Sequence, residues 1–411
     1  MSQPIAPTLG DYRPILGDRH IDELFRLGER LRGMRVQHIN STRVGGGVAE
    51  ILSRLVPMMN ELGLLASWDV VEGDDEFFKV TKSFHNAIQG MEVEITSGDL
   101  DAYLRTNRRN AERLDLYGDT VIIHDPQPAA LIGGRRKGQT CLWRCHIDAS
   151  RPMARVWRFL EQFVRRFDAA IFSAPPFARP LPIPRFLIAP AIDPLSDKNR
   201  PLGPEQTSAV LERYGIDARR PIVTQISRFD RFKDPVGVVR MFKLTREAVD
   251  CQLVLAGGTA TDDPEGTAVL AEVHEAAEAD PDIHVLALPP TANLEINALQ
   301  RASTVVVQKS TKEGFGLTVA EALWKGKPVI GGATGGIPLQ ILDGANGYLV
   351  NSPEGAAFRL RYLLTHPETA QEMGRRGTEQ VRQNFLLTRN LRDYLLMLLA
   401  MQHPRERRIV L

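Results

Sequence analysis

Short β-branched runs recur along the chain, separated by segments whose apolar residues return every third or fourth position. The first pattern marks buried strands and the second amphipathic helices. In the amino-terminal half it predicts strands at 34–39, 67–71, 120–123, 140–145, 169–172 and 186–188. Helices are expected there at 22–31, 48–61, 77–88, 100–114 and 154–165. A proline-rich stretch at 174–184 and a proline- and polar-rich one at 190–204 follow, and the second is the better domain boundary. The alternation then resumes, with strands at 222–226, 251–256, 283–286, 304–307 and 328–330. Its helices are expected at 205–214, 236–247, 265–279, 294–301 and 318–325, and the tail from 353 to 401 reads as mainly helical.

Alternation of this kind implies parallel sheets covered by helices. The expected fold class is α/β, as two Rossmann-like, doubly wound domains in series. The domains are placed at 1–195 and 196–385, with a helical segment at 386–411 that can pack back on the first. Ligands of such sheets bind beyond the carboxyl ends of the strands, so the expected active site is a cleft between the two domains.

Composition narrows the class. At 411 residues the chain exceeds one ordinary core. With 25% charged and 43% hydrophobic residues it has a normal soluble composition. A formal net charge of +1 argues against a dedicated nucleic-acid binder. The first ten residues lack a basic region followed by an apolar core, and the apolar segment 394–401 is too short to span a bilayer. A cytoplasmic protein with no membrane partner is the expectation. Cys141, Cys145 and Cys251 make no disulfide framework. Cys141, Cys145 and His146 lie in an apolar, strand-like run without an evident fourth ligand, so no metal is expected.

Candidate chemistry concentrates in Lys309-Ser310-Thr311-Lys312-Glu313-Gly314-Phe315-Gly316-Leu317-Thr318-Val319-Ala320-Glu321. It lies between a β-branched run and an apolar pattern that stops at Gly326 before Pro328, so it reads as strand, glycine turn and helix. Glycines let backbone approach a ligand, and a helix start offers free N–H groups and partial positive charge to an anion. Glu313 and Glu321 would add acceptors for hydroxyls. A sugar nucleotide carries both anion and hydroxyls.

Other strand ends carry polar groups. Arg228 and Lys233, in Ser227-Arg228-Phe229-Asp230-Arg231-Phe232-Lys233, are fixed cations suited to a diphosphate. Gly45-Gly46-Gly47 follows the first strand and opens a helix, but it fits neither a dinucleotide fingerprint nor a P-loop. His124-Asp125-Pro126-Gln127 and Arg144-Cys145-His146-Ile147-Asp148 place His, Asp and Gln at one rim of the first half. Asn86 and Gln89, three apart, share a helix face, on which a solvated role is nearly as good a reading as a sugar contact. Ala256-Gly257-Gly258 is adequately read as a plain turn.

Together these stretches resemble retaining GT-B glycosyltransferases of the glycogen-synthase-like kind, with Glu313 and Glu321 as the E-x7-E pair. The segments 38–50, 81–86, 124–127 and 143–148 are similar to those of the trehalose glycosyltransferring synthase family, a pattern shared by fungal-type trehalose phosphorylases. The resemblance implies that Arg228 and Lys233 hold a donor diphosphate. It implies that Glu313 binds donor-glucose hydroxyls, beside the backbone of Gly314, Phe315, Gly316, Leu317 and Thr318, and that Glu321 binds the ribose. His146 would sit beside the donor sugar. Asn40, Asn86, Gln89, Asp125 and Asp148 are the implied acceptor-side residues, and Gly46 and Gly47 are candidates for either the acceptor or the donor nucleotide.

The implied activity transfers glucose with retention from a nucleotide-diphosphate glucose (ADP-, UDP- or GDP-glucose) to glucose, giving α,α-trehalose. No cofactor or metal is required by that resemblance. The partners are these small molecules, and a homodimer is allowed. The alternatives are a trehalose phosphorylase, a relative making sucrose or a sugar phosphate, and a non-catalytic sugar-nucleotide binding protein. The resemblance leaves the nucleobase open.

Overall fold

The computed structural model describes residues 7–43, 46–258 and 264–403. The first strands are β1 Arg35–Asn40, β2 Leu65–Val70, β3 Thr120–His124, β4 Thr140–Cys145, β5 Ala169–Phe172 and β6 Arg185–Leu187. They are followed by β7 Ile222–Ile226, β8 Gln252–Gly257, β9 Ile283–Ala287, β10 Val305–Gln308, β11 Val329–Gly332 and β12 Gly347–Val350. The chain divides into two units, Met1–Ala191 with Leu387–Leu411, and Ile192–Leu386.

The first unit holds a parallel sheet in the order β2-β1-β3-β4-β5-β6. Its inner strands β3, β4 and β5 are buried on both faces, which is why their sequences run apolar without strict alternation. On one face Ile39, Val121, Ile123, Cys141, Trp143 and Phe172 pack with Phe77, Phe84 and Tyr103 from the helices Asp75–Ile88 and Ser97–Leu114. The carboxyl-terminal helix, Leu387–Gln402, packs within this unit: Asn390 Nδ2 donates to Ala189 O at 2.8 Å, and Arg392 pairs with Glu23 at 2.8 Å.

The second unit holds a parallel sheet in the order β12-β11-β10-β7-β8-β9. Odd-numbered Val223, Leu253, Leu255, Val305 and Val307 face one layer with Val238, Phe242, Val273 and Leu360. Even-numbered Ile222, Ile226, Val254 and Ala256 face the other with Leu211, Ile216 and Leu299. The period of two assigns alternate residues to opposite helical layers, so this unit is doubly wound.

Differences from the sequence reading are local. β1 and β3 run on to Asn40 and His124, because parallel partners extend that far: Asn40 pairs with Val70 and His124 with Arg144. β12 was not expected. It lies at the edge of the sheet and opens on a glycine, a residue depleted in strands. The helical tail resolves into three helices, Pro353–Thr365, Pro367–Asn384 and Leu387–Gln402.

Candidate active site

In the second unit β7 and β10 are neighbours although two strands and three α-helices separate them in sequence. The connections leave these two strands in opposite directions, which opens a crevice at their carboxyl ends. The loops following them are 227–234 and 309–316. Thr311 N donates to Phe232 O at 2.8 Å, and Gln225 Nε2 donates to Lys233 O at 2.7 Å, so each loop is fastened to its neighbour or its own strand.

Lys233 and Glu313 meet directly, Nζ to Oε2 at 2.6 Å, and Ser310 Oγ donates to the same carboxylate oxygen at 3.1 Å. Both side chains are largely enclosed, 16% and 9% exposed. A second pair, Lys309 with Asp234, lies beside them. Arg228 extends from the same loop with its side chain 68% exposed and a 3.3 Å contact to Asp230. The site thus offers an open guanidinium beside an enclosed ion pair.

The turn carrying Glu313 is held from behind. Gly316 takes φ +80° as it caps the helix Leu317–Trp324, with Leu317 and Thr318 forming the helix start. Gly336 N donates to Gly314 O at 2.8 Å, and Gln340 Nε2 donates to Phe315 O at 2.5 Å. Phe315 itself is buried against Phe385, with ring centroids 5.4 Å apart. Gly335 takes φ +56°, and a Cβ there would collide with the Glu313 carbonyl oxygen. Sequence reasoning missed this Gly335-Gly336 support. Its signal was a second glycine pair, separated by four residues from the strand run at 328–330.

Glu321 occupies a separate, buried cluster at 2% exposure. Lys198 Nζ approaches its Oε1 at 3.8 Å, and Oε2 has no hydrogen-bond partner among the described residues. Below it Lys325 Nζ donates to Asn199 Oδ1 at 2.8 Å, Gln300 Oε1 at 2.7 Å and Glu321 O at 3.2 Å. Burial pulls Lys325 down to about 7, against the charge of Glu321. Three acceptors match the three donors of an ammonium, and they favour its charged form. No local pattern marks this cluster, since Asn199, Gln300 and Lys325 come from three separate segments.

In the first unit His38 and His124 stand on the neighbouring strands β1 and β3, and His146 directly follows the next strand, β4. His38 Nδ1 lies 3.0 Å from His124 Nε2, and His124 Nδ1 lies 2.9 Å from His146 Nε2. Burial lowers His38 to about 3 and holds His124 well below the usual range. His146, at the rim, is also held well below it, by enclosure and then by the Arg144 guanidinium. Placing His124 at a strand end, beyond Ile123, did not pair it with His38.

Asp125 follows β3 in a left-handed conformation, φ +66°. That turn aims its carboxyl at His146, whose backbone N–H donates to Oδ1 at 2.7 Å, while Trp143 Nε1 donates to Asp125 O at 3.0 Å. Burial pushes Asp125 up to about 7, with the His146 N–H and Arg144 acting the other way. Cys141 and Cys145 are buried in β4, where burial pushes Cys141 up to about 11 and Cys145 up as well. Both are neutral thiols packed into the core.

The other first-unit candidates are less available. Asn40 is buried, its Oδ1 accepting from Trp68 Nε1 at 2.8 Å and its Nδ2 donating to Thr42 O at 2.8 Å. Gln89 lies past the end of its helix, 2.6 Å from His85 Nε2, while Asn86 is half-buried within that helix. Met153 N donates to Ala87 O at 2.8 Å, which joins this helix end to the loop bearing Asp148. Asp148 Oδ1 accepts from Ser150 N at 2.9 Å. Gly46, at φ +82°, caps the helix that Gly47 begins, and Gly45 lies outside the described residues.

Among solved structures, the UDP-forming α,α-trehalose-phosphate synthase of Burkholderia vietnamiensis superposes with a TM-score of 0.73 at 16% identity, over 91% of this chain and all of that one. The fold is that of the GT-B glycosyltransferases. Residues 38–179 match the family model "Trehalose synthase, N-terminal domain", and residues 208–380 match "Glycosyl transferases group 1". The trehalose synthase of Pyrococcus horikoshii is 45% identical over 394 residues, 94% of this chain and 95% of that protein. That of Rubrobacter xylanophilus is 45% identical over 406 residues, 96% of this chain and 97% of its own. The chain belongs to the trehalose synthase family, and it is a glycosyltransferase.

Proposed function

We propose that the protein transfers glucose, with retention, from a nucleotide-diphosphate glucose to glucose, and so forms α,α-trehalose. The observation that carries this reading is the second unit's strand-end arrangement. There the Lys233–Glu313 pair lies at 2.6 Å and the Arg228 guanidinium stands open in the same loop. A diphosphate leaving group accumulates negative charge as the glycosidic bond breaks. Arg228 and Lys233 would stabilise that charge where it develops, in the way fixed donors stabilise an oxyanion. Glu313, oriented by Lys233 and Ser310, would accept hydrogen bonds from the glucose hydroxyls.

The unpartnered Oε2 of Glu321 supports assigning that residue to the ribose, since a buried carboxylate oxygen without a donor is costly until a ligand hydroxyl supplies one. In the first unit His146, Asp125 and Asp148 would hold the acceptor and the donor sugar. A diphosphate departs without the general acid that a glycosidase needs. A phosphate oxygen would take the proton of the attacking hydroxyl on the face the diphosphate leaves, so retention requires no enzyme nucleophile.

The test is a donor-by-acceptor matrix. ADP-, UDP- and GDP-glucose are each incubated with glucose, glucose 6-phosphate and fructose, and the products are identified directly. Trehalose with inorganic phosphate forms a further arm. Trehalose from a nucleotide sugar and free glucose supports the reading. Glucose 1-phosphate from trehalose and phosphate alone would replace it with a phosphorylase, and no product in any arm would overturn it.

A further inference from the structure

The three histidines of the first unit form a line from the interior to the rim, and its inner end decides which nitrogen of His146 carries the proton. A neutral imidazole has one N–H, and the hydrogen bond at one nitrogen fixes the state of the other. Burial keeps all three rings neutral, with the Arg144 guanidinium acting in the same direction on His124 and His146. Two arrangements of the line then exist. In one, His38 Nδ1–H donates to His124 Nε2 and His124 Nδ1–H donates to His146 Nε2, so His146 carries its proton on Nδ1. In the other, every donation runs inward, and His38 must carry its proton on Nε2.

His38 is fully buried, and its Nε2 has no hydrogen-bond partner among the described residues. The inward arrangement would leave an N–H donor there without an acceptor. The outward arrangement leaves only a bare lone pair. Orphaned buried N–H groups are the rarer and costlier of the two. We infer that His38 and His124 are positioning residues that lock His146 as the Nδ1–H tautomer, so that His146 presents a hydrogen-bond donor, and not a general base, to a sugar oxygen. The part concerning sugar rests on the function proposed above. The tautomer does not.

The experiment uses the full chain labelled with ¹⁵N-histidine, with long-range proton–nitrogen correlation spectra at neutral pH. The signals, from nine histidines, are assigned by single replacements. His38, His124 and His146 are expected as Nδ1–H tautomers. An Nε2–H or doubly protonated His146 overturns the inference. For the kinetics, His38→Leu removes the first donor and should lower kcat roughly tenfold with donor KM little changed, in line with one positioned hydrogen bond. His38→Asn keeps an N–H near the Nδ1 position and should restore part of that rate. Equal rates in the two variants overturn the positioning role, whatever their stability. Nδ1–H tautomers in a chain that transfers no glucose would sink the proposed function and leave the relay standing. Transfer by an Nε2–H His146 would do the reverse.

Discussion

Lys233 Nζ and Glu313 Oε2 lie 2.6 Å apart, although the residues are 80 positions apart in the chain. The contact exists because β7 and β10 are adjacent in the sheet and both of their loops turn into the same crevice. It gives Glu313 a fixed orientation before any ligand arrives, and it makes Lys233 both a structural partner and a candidate for diphosphate binding.

That double role predicts a stability signature. Lys233→Ala leaves an enclosed carboxylate without its cation and should cost about 2–4 kcal/mol, approaching the range for breaking a buried pair. Adding Glu313→Gln removes the stranded charge and should recover much of that loss. Urea unfolding of both single variants and the double variant measures this cycle. Additive losses would show that the pair is not coupled.

Arg228 should behave differently. Its side chain is 68% exposed and, among the described residues, makes one long ion contact, so Arg228→Ala should change stability by no more than about 0.5 kcal/mol. Its proposed role predicts a loss of about 2–4 kcal/mol in transition-state stabilisation, read in kcat/KM for the nucleotide sugar. Near-normal turnover would remove Arg228 from the diphosphate site.

Gly335 tests the support behind the turn. Gly335→Ala places a Cβ against the Glu313 carbonyl oxygen at a residue with φ +56°, so the Glu313 loop must move. Displacing a positioned group by about an ångström can reduce rate on the order of a hundredfold. Transfer kinetics should show that loss. An unchanged kcat would mean that the loop position does not matter.

Asp125 predicts a pH dependence of stability. Burial raises its folded pKa to about 7 from the ordinary 3.8. Between these values the folded chain keeps a proton that the unfolded chain has released. The stabilisation is therefore full below about pH 4 and is lost as pH rises to about 7. Asp125→Asn abolishes this titration. Between pH 4 and 7.5 the variant should gain about 3–4 kcal/mol relative to the parent, measured by denaturant unfolding at both pH values. A constant difference would contradict a protonated Asp125.

The periodic pattern of apolar residues reached most of the architecture by itself. Strands buried on both faces, such as Thr140–Cys145 and Ile222–Ile226, carry a mainly apolar signal, and Gly138 and Pro221 stand just before them. The edge strand Gly347–Val350 escapes that pattern, because it opens on a glycine, a residue depleted in strands. For the site, the sequence marked the strand-end residues Arg228, Lys233, Glu313, Asp125 and His146, because polar groups and glycines after an apolar run are visible locally.

Tertiary structure alone decided how those residues combine. The pairing of Lys233 with Glu313, the support of Gly335 behind Glu313, the buried cluster of Glu321 with Lys198, Asn199, Gln300 and Lys325, and the line from His38 through His124 to His146 all join segments far apart in the chain. Local periodicity records only which face a residue takes. Which residue stands opposite is set by strand order and register, and those are fixed by burial of the whole sheet.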